Sequence, residues 1–173
     1  MNGDLLRVEN FKNSLNDFTV FSVVIGNDSE FRDVLNELAA ALSAADIETH
    51  VVYSGSEPIN KGENLIVHSD AEFTQVVTQI SDSLRERYGV FAAFSFKNIN
   101  EHNAVKAPIK RIALIYDYKT AIANSKKYDN LCKLAELLQK GRAAGITSVV
   151  YSDKDIDDKT QFGACLKANA KII

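Results

Sequence analysis

Five short stretches of this chain are rich in β-branched and apolar residues: 19–25, 47–54, 64–68, 112–116 and 147–151. Ile112-Ala-Leu-Ile-Tyr116 carries no charged or strongly polar side chain, so it does not alternate as a half-exposed strand would; both its faces face a core. Between these runs the apolar residues recur at helical spacing. Val34, Leu35, Leu38, Leu42 and Ala45 form one such stripe, and Phe73, Val76, Val77, Ile80, Leu84 and Tyr88 a second. Tyr128, Leu131, Leu134, Ala135 and Leu138 form a third. Asp70 is placed to cap the second helix, and Gly145 to stop the third, where a left-handed residue is needed. Residues 170–173 begin a further strand. Strands alternating with long helices dictate a mostly parallel central sheet with helices on both faces, a three-layer α/β fold.

With 173 residues and no Pro/Gly/Ser-rich linker, the chain reads as a single domain, 1–173, with a polar lead-in over 1–17. A net charge of −3 creates no field that would draw in nucleic acid or an anionic membrane. No apolar run approaches the roughly 18 residues a membrane span needs, and no signal-peptide pattern opens the chain. Cys132 and Cys165 lack C-x-x-C spacing, and His50, His68 and His102 are scattered without metal-ligand spacing. A cytoplasmic location without direct membrane contact is the expectation.

Ligands of parallel sheets bind outside the carboxyl ends of the strands, which gathers Gly26, Asp117 and Ser152 at one edge. The first strand runs into Gly26, Asn27, Asp28, Ser29, Glu30, Phe31, Arg32 and Asp33, and then into a helix. These eight residues stand where a phosphate-binding loop, G-x-x-x-x-G-K-[ST], would stand. Only the first Gly matches. Phe31 takes the second glycine position, Arg32 the lysine position and Asp33 the hydroxyl position.

Further along, Leu84-Arg-Glu-Arg-Tyr88 is followed by Phe96-Lys-Asn-Ile-Asn-Glu-His-Asn103. Leu137-Leu-Gln-Lys-Gly-Arg-Ala-Ala-Gly-Ile146 and Leu166-Lys-Ala-Asn169 come later. In this order the blocks resemble the E-R-R-Y, V-R-N-I-x-x-Y-N, L-A-Q-K-G-R-A-A-G-I and I-K-A-N segments of the FtsK/SpoIIIE family of DNA-translocating motors. The similarity extends over about residues 19–173. It implies a RecA-like P-loop NTPase fold, with residues 112–117 as the Walker B strand and Asp117 at the magnesium position. By the same resemblance the chain departs from the motor chemistry. Tyr118 follows Asp117 where the family has the glutamate that activates water. Asp153 stands at the position of the glutamine that senses the γ-phosphate.

Asp28, Glu30 and Asp33 put acids around a pocket meant for polyanions, and each like-charge contact at about 4 Å costs on the order of 4 kcal/mol at an effective dielectric near 20. The resemblance therefore implies a degenerate member in which the phosphate loop and Asp117 are vestigial and no cofactor is held. The implied function is an assembly, docking or regulatory module of a DNA-translocating or type VII secretion motor. The alternative is an ATP-dependent translocase module that binds ATP and magnesium weakly through Arg32 and Asp117. The partners implied are proteins or neighbouring ATPase domains, with DNA reached only through a larger assembly. Oligomerisation follows only by analogy with ring-shaped relatives, as does placement in the cytoplasmic part of a membrane-anchored motor.

Overall fold

In the computed structural model, residues 20–24, 28–53, 63–124, 128–153, 155–157 and 159–172 are described. Ile112 is 5% exposed and the next four residues 0%, so the most apolar run of the chain is the middle of the sheet. Six strands form that sheet: β1 Val20–Val24, β2 Glu48–Val52, β3 Leu65–His68, β4 Ile112–Asp117, β5 Ile146–Ser152 and β6 Ala170–Ile172. Their order is β3-β2-β4-β5-β1-β6. Every pairing is parallel.

The helices are α1 Asp28–Ala44, α2 Phe73–Phe94, α3 Ile99–Val105, α4 Tyr118–Ala123, α5 Tyr128–Lys140 and α6 Gln161–Asn169. Their placement follows from the handedness of parallel crossovers. The connections β3 to β4, β4 to β5 and β5 to β6 all advance in one direction across the sheet. They lay α2, α5 and α6 on one face, where Phe73, Ile80, Leu134, Leu137 and Phe162 pack on Leu114, Tyr116 and Val150. The connection β1 to β2 runs the other way and lays α1 on the opposite face. There Leu35, Leu38 and Leu42 meet Val51, Ala113, Ile115 and Val149. Each of those three leucines is fully buried and contributes roughly 1.5–3 kcal/mol. Side chains of β4 divide between the two cores by alternation, which is why the run has to be apolar throughout.

Two sequence expectations change. Asp70 is not the cap before α2: Ser69 leads a 3-10 turn, Asp70–Glu72, and Glu72 reaches back to the Ser69 N–H at 2.8 Å and hydroxyl at 3.0 Å. Gly145 is left-handed (φ 72°), but it ends a 3-10 turn, Arg142–Ala144, that follows α5 rather than α5 itself. The lead-in 1–17, the turn residues Gly26 and Asn27, and the loop carrying Gly55, Pro58 and Gly62 lie outside the described residues. Among the described residues no helix is long and apolar enough to cross a membrane.

Candidate functional site

The carboxyl edge of the sheet gathers two of the residues that the sequence placed there, Asp117 and Ser152. Asp117 is level with Tyr151 on the neighbouring strand, and Ser152 is level with Val24, the end of β1. Asp117 has extended backbone and serves as the N-cap of α4, its Oδ1 accepting the Lys119 N–H at 2.8 Å. Burial pushes its carboxyl above the usual carboxylate range. The Lys119 N–H and ammonium offset part of that push, while the charges of Asp153 and Asp70 add to it. The Lys119 ammonium is ion-paired with the Asp153 carboxylate. Thr120 turns its hydroxyl toward Asp70, at 3.5 Å. Among the described residues, the carboxylates of Asp117, Asp153 and Asp70 share this edge with the Lys119 ammonium. Tyr118 is turned away, stacked on Phe162 of α6 with ring centres 5.8 Å apart. Among the described residues, no three His, Cys, Asp or Glu side chains converge closely enough to hold a metal ion.

β1 ends at Val24 and α1 begins at Asp28, so six of the eight phosphate-loop positions, Asp28 to Asp33, are the first turns of a helix. The Asp33 side chain is exposed. Nothing further is described of the side chains of Asp28, Ser29, Glu30, Phe31 and Arg32, and Gly26 and Asn27 lie outside the described residues.

At the amino end of the sheet, three of the motif blocks, 84–88, 96–103 and 137–146, meet in one corner. Arg87, 8% exposed, donates to the Ala144 carbonyl and to the Lys110 carbonyl, both at 2.7 Å. Tyr88 donates its hydroxyl to the Lys140 carbonyl at 2.9 Å. Asn98 caps α3 by accepting the Glu101 N–H, and Glu101 accepts the Lys97 N–H in return. The Asn103 amide closes both ways on the Ile109 backbone, at 2.9 and 3.0 Å. Gly145 supplies the left-handed turn into β5, and a Cβ there would stand 2.5 Å from Ile99 Cδ1. Beside this corner opens a cavity of about 460 Å³, lined by Tyr88, Lys97, Arg111, Gln139, Lys140 and Arg142.

Sequence reasoning found Asp117 and Ser152 and missed the roles of Lys119, Asp70 and Arg87. The Lys119–Asp153 pair joins two chain segments, and no local pattern announces it. Arg87 stood inside a recognised block, but an arginine on a helix reads as solvated until the carbonyls it serves are seen.

No protein-family model matches the sequence, and no curated protein matches it. Solved structures do match. The pCW3 conjugation coupling protein TcpA, in its monomer form with ATPγS, is similar at a TM-score of 0.71 and 18% identity, over 90% of this chain and 48% of that one. The cytoplasmic domain of EssC is similar at 0.70 and 12%, over 90% and 32%. ATPases 2 and 3 of Thermomonospora curvata EccC, in complex with a signal sequence peptide, are similar at 0.66 and 15%, over 88% and 31%. The chain therefore spans less than half the length of each of these structures. TcpA is described as a conjugation coupling protein, and the EccC structure as ATPases 2 and 3 of that protein. This chain has the fold of FtsK/SpoIIIE-type motor ATPase domains, a RecA-like P-loop fold.

Proposed function

We propose that this chain is a non-hydrolysing motor-fold domain that acts as an assembly, docking or regulatory module beside active ATPase domains. The arrangement of Asp117 carries this reading. A magnesium-organising carboxylate needs free oxygens and an ionised state at neutral pH. Here one oxygen accepts the Lys119 N–H, and burial and two neighbouring acids disfavour the charge. The next residue, Tyr118, has no carboxylate to activate water, and its ring is packed against Phe162. Asp153, at the γ-phosphate sensor position, brings negative charge held by Lys119.

The start of α1 at Asp28 supports the same reading. A phosphate loop works by leaving successive backbone N–H groups free to close on phosphate oxygens. A helix starting at Asp28 directs the N–H groups of Arg32 and Asp33 to carbonyls four residues back. The residues present do not fit a magnesium–triphosphate group. The vestigial set is Gly26, Arg32, Asp33 and Asp117.

The partners are neighbouring ATPase domains, a reading supported by the EccC structure, which is described as ATPases 2 and 3. DNA is reached only through such an assembly, since the chain carries net charge −3. Phosphate release assayed with ATP and magnesium, with and without duplex DNA, tests the reading. The expected result is release at the rate of the buffer alone. Turnover that disappears in Asp117→Ala would overturn it in favour of an ATP-dependent translocase module.

A further inference from the structure

Two histidines that looked scattered in the sequence are neighbours in the fold. His50 lies within β2, 2% exposed, and His68 ends β3, level with Val52. His50 Nδ1 is 3.0 Å from His68 Nε2, and His50 Nε2 is 2.6 Å from Glu48 Oε1. The two rings are nearly parallel, at 8°, with centres 5.3 Å apart. That separation is what two ring radii and a 3.0 Å gap add up to when the nitrogens face each other along the line of centres. Each nitrogen therefore points at the other. This is the geometry of an N–H···N hydrogen bond, not of two lone pairs converging on a metal ion.

The proton inventory then has one solution. Glu48 as a carboxylate only accepts, so His50 Nε2 carries a proton and its Nδ1 offers a lone pair. His68 Nε2 must donate to that lone pair. One added proton leaves the bond between the rings intact whichever ring holds the charge, because the proton between the two nitrogens can belong to either. Charging both rings would set two N–H groups head to head at 3.0 Å and put two cations in contact.

We propose that Glu48, His50 and His68 form a pH-operated latch that fastens β3 to the sheet and opens when both imidazoles are charged. β3 is an edge strand among the described residues, bonded to β2 alone. Its backbone ties are the Thr49 N–H to the Asn64 carbonyl at 2.7 Å and the Tyr53 N–H to the His68 carbonyl at 3.1 Å, besides the ladder itself. The charged groups facing the latch are Glu48 on β2, Glu72 on the turn before α2, and Arg87 on α2, whose charge reaches Glu48. β4 presents only Leu114, level with His50. Burial holds the pKa of His68 below the ordinary histidine value, the charge of His50 lowers it further, and Glu72 opposes both.

The sign follows. With the native value lowered, the unfolded or open chain takes up its proton first as the pH falls. The latch is fully closed above the ordinary histidine range and loses stability as the pH drops through it. β3 leads directly into the turn holding Asp70.

The test is an NMR titration of both imidazoles in the whole chain, with amide hydrogen exchange at Leu65–His68 and Tyr53, and α2 as the internal control. The latch predicts a coupled two-step titration with the steps more than about one pH unit apart. It also predicts that protection at β3 falls at least about tenfold in the acid step while α2 keeps its own. In His68→Gln, whose amide donates but takes up no proton in this range, the β3 step disappears. Two independent titrations near the ordinary histidine value, or β3 protection unchanged through both steps, would overturn the latch. So would an acid step that persists in His68→Gln. Should that variant fail to fold, the wild-type titration alone decides.

Discussion

The two ends of the sheet answer differently to the motor-family resemblance. At the amino end, Arg87, Tyr88, Asn98, Asn103 and Gly145 each close a backbone group or a turn, and together they join α2, α3 and the entry to β5. At the carboxyl end, where a nucleotide would sit, the family positions hold Asp117 as a helix cap, Tyr118 against Phe162, and Asp153 on Lys119. A fold is kept by the residues that satisfy its backbone, and these need no ligand to be in place. Catalytic groups leave the fold standing when they change, because the sheet edge only needs its polar atoms paired.

Substitutions measure that asymmetry. Arg87→Met should have the largest effect. It strands two carbonyls that now accept charge-assisted bonds, and a loss of about 3 kcal/mol or more is expected, read as a lowered urea midpoint at constant m. Gly145→Ala follows at about 2 kcal/mol. Left-handed backbone alone costs roughly 1–2 kcal/mol for an alanine, and the new methyl meets Ile99.

The carboxyl edge should respond less. Asp117→Ala loses one cap, about 1 kcal/mol, while Asp117→Asn keeps it. Those two variants also carry a pH signature. Because the native carboxyl of Asp117 titrates above its ordinary value, its protonation stabilises the fold fully below that value, and the stabilisation is lost as the pH rises through the native one. Wild type should therefore lose ground to Asp117→Asn across that interval in denaturation series at stepped pH. Lys119→Ala, which breaks an ion pair whose lysine is exposed, should cost least, about 0.2–1 kcal/mol by thermal unfolding. Carboxyl-edge variants as damaging as Arg87→Met would remove the distinction between the two ends.

Much of this architecture was legible from periodicity. The apolar run 112–116, the stripe through Leu35, Leu38 and Leu42, and the strands at 48–52 and 146–152 follow from burial on two faces or one. Helices α3 and α4 did not, because seven and six residues are too few to display a period. In α6 the apolar stripe is broken by Gly163, which lets the backbone approach the Asp157 carbonyl closely. At the candidate site, Asp117 and Ser152 were legible because strand ends are. The Lys119–Asp153 pair and the His50–His68 contact were not, since each depends on which strands lie side by side.

The most direct measurement is calorimetric titration of ATP with magnesium into the whole chain. The account predicts no saturable heat at nucleotide concentrations up to about 1 mM, a limit of roughly 4 kcal/mol in binding free energy. Saturable binding tighter than that, and lost in Asp117→Ala, would contradict it.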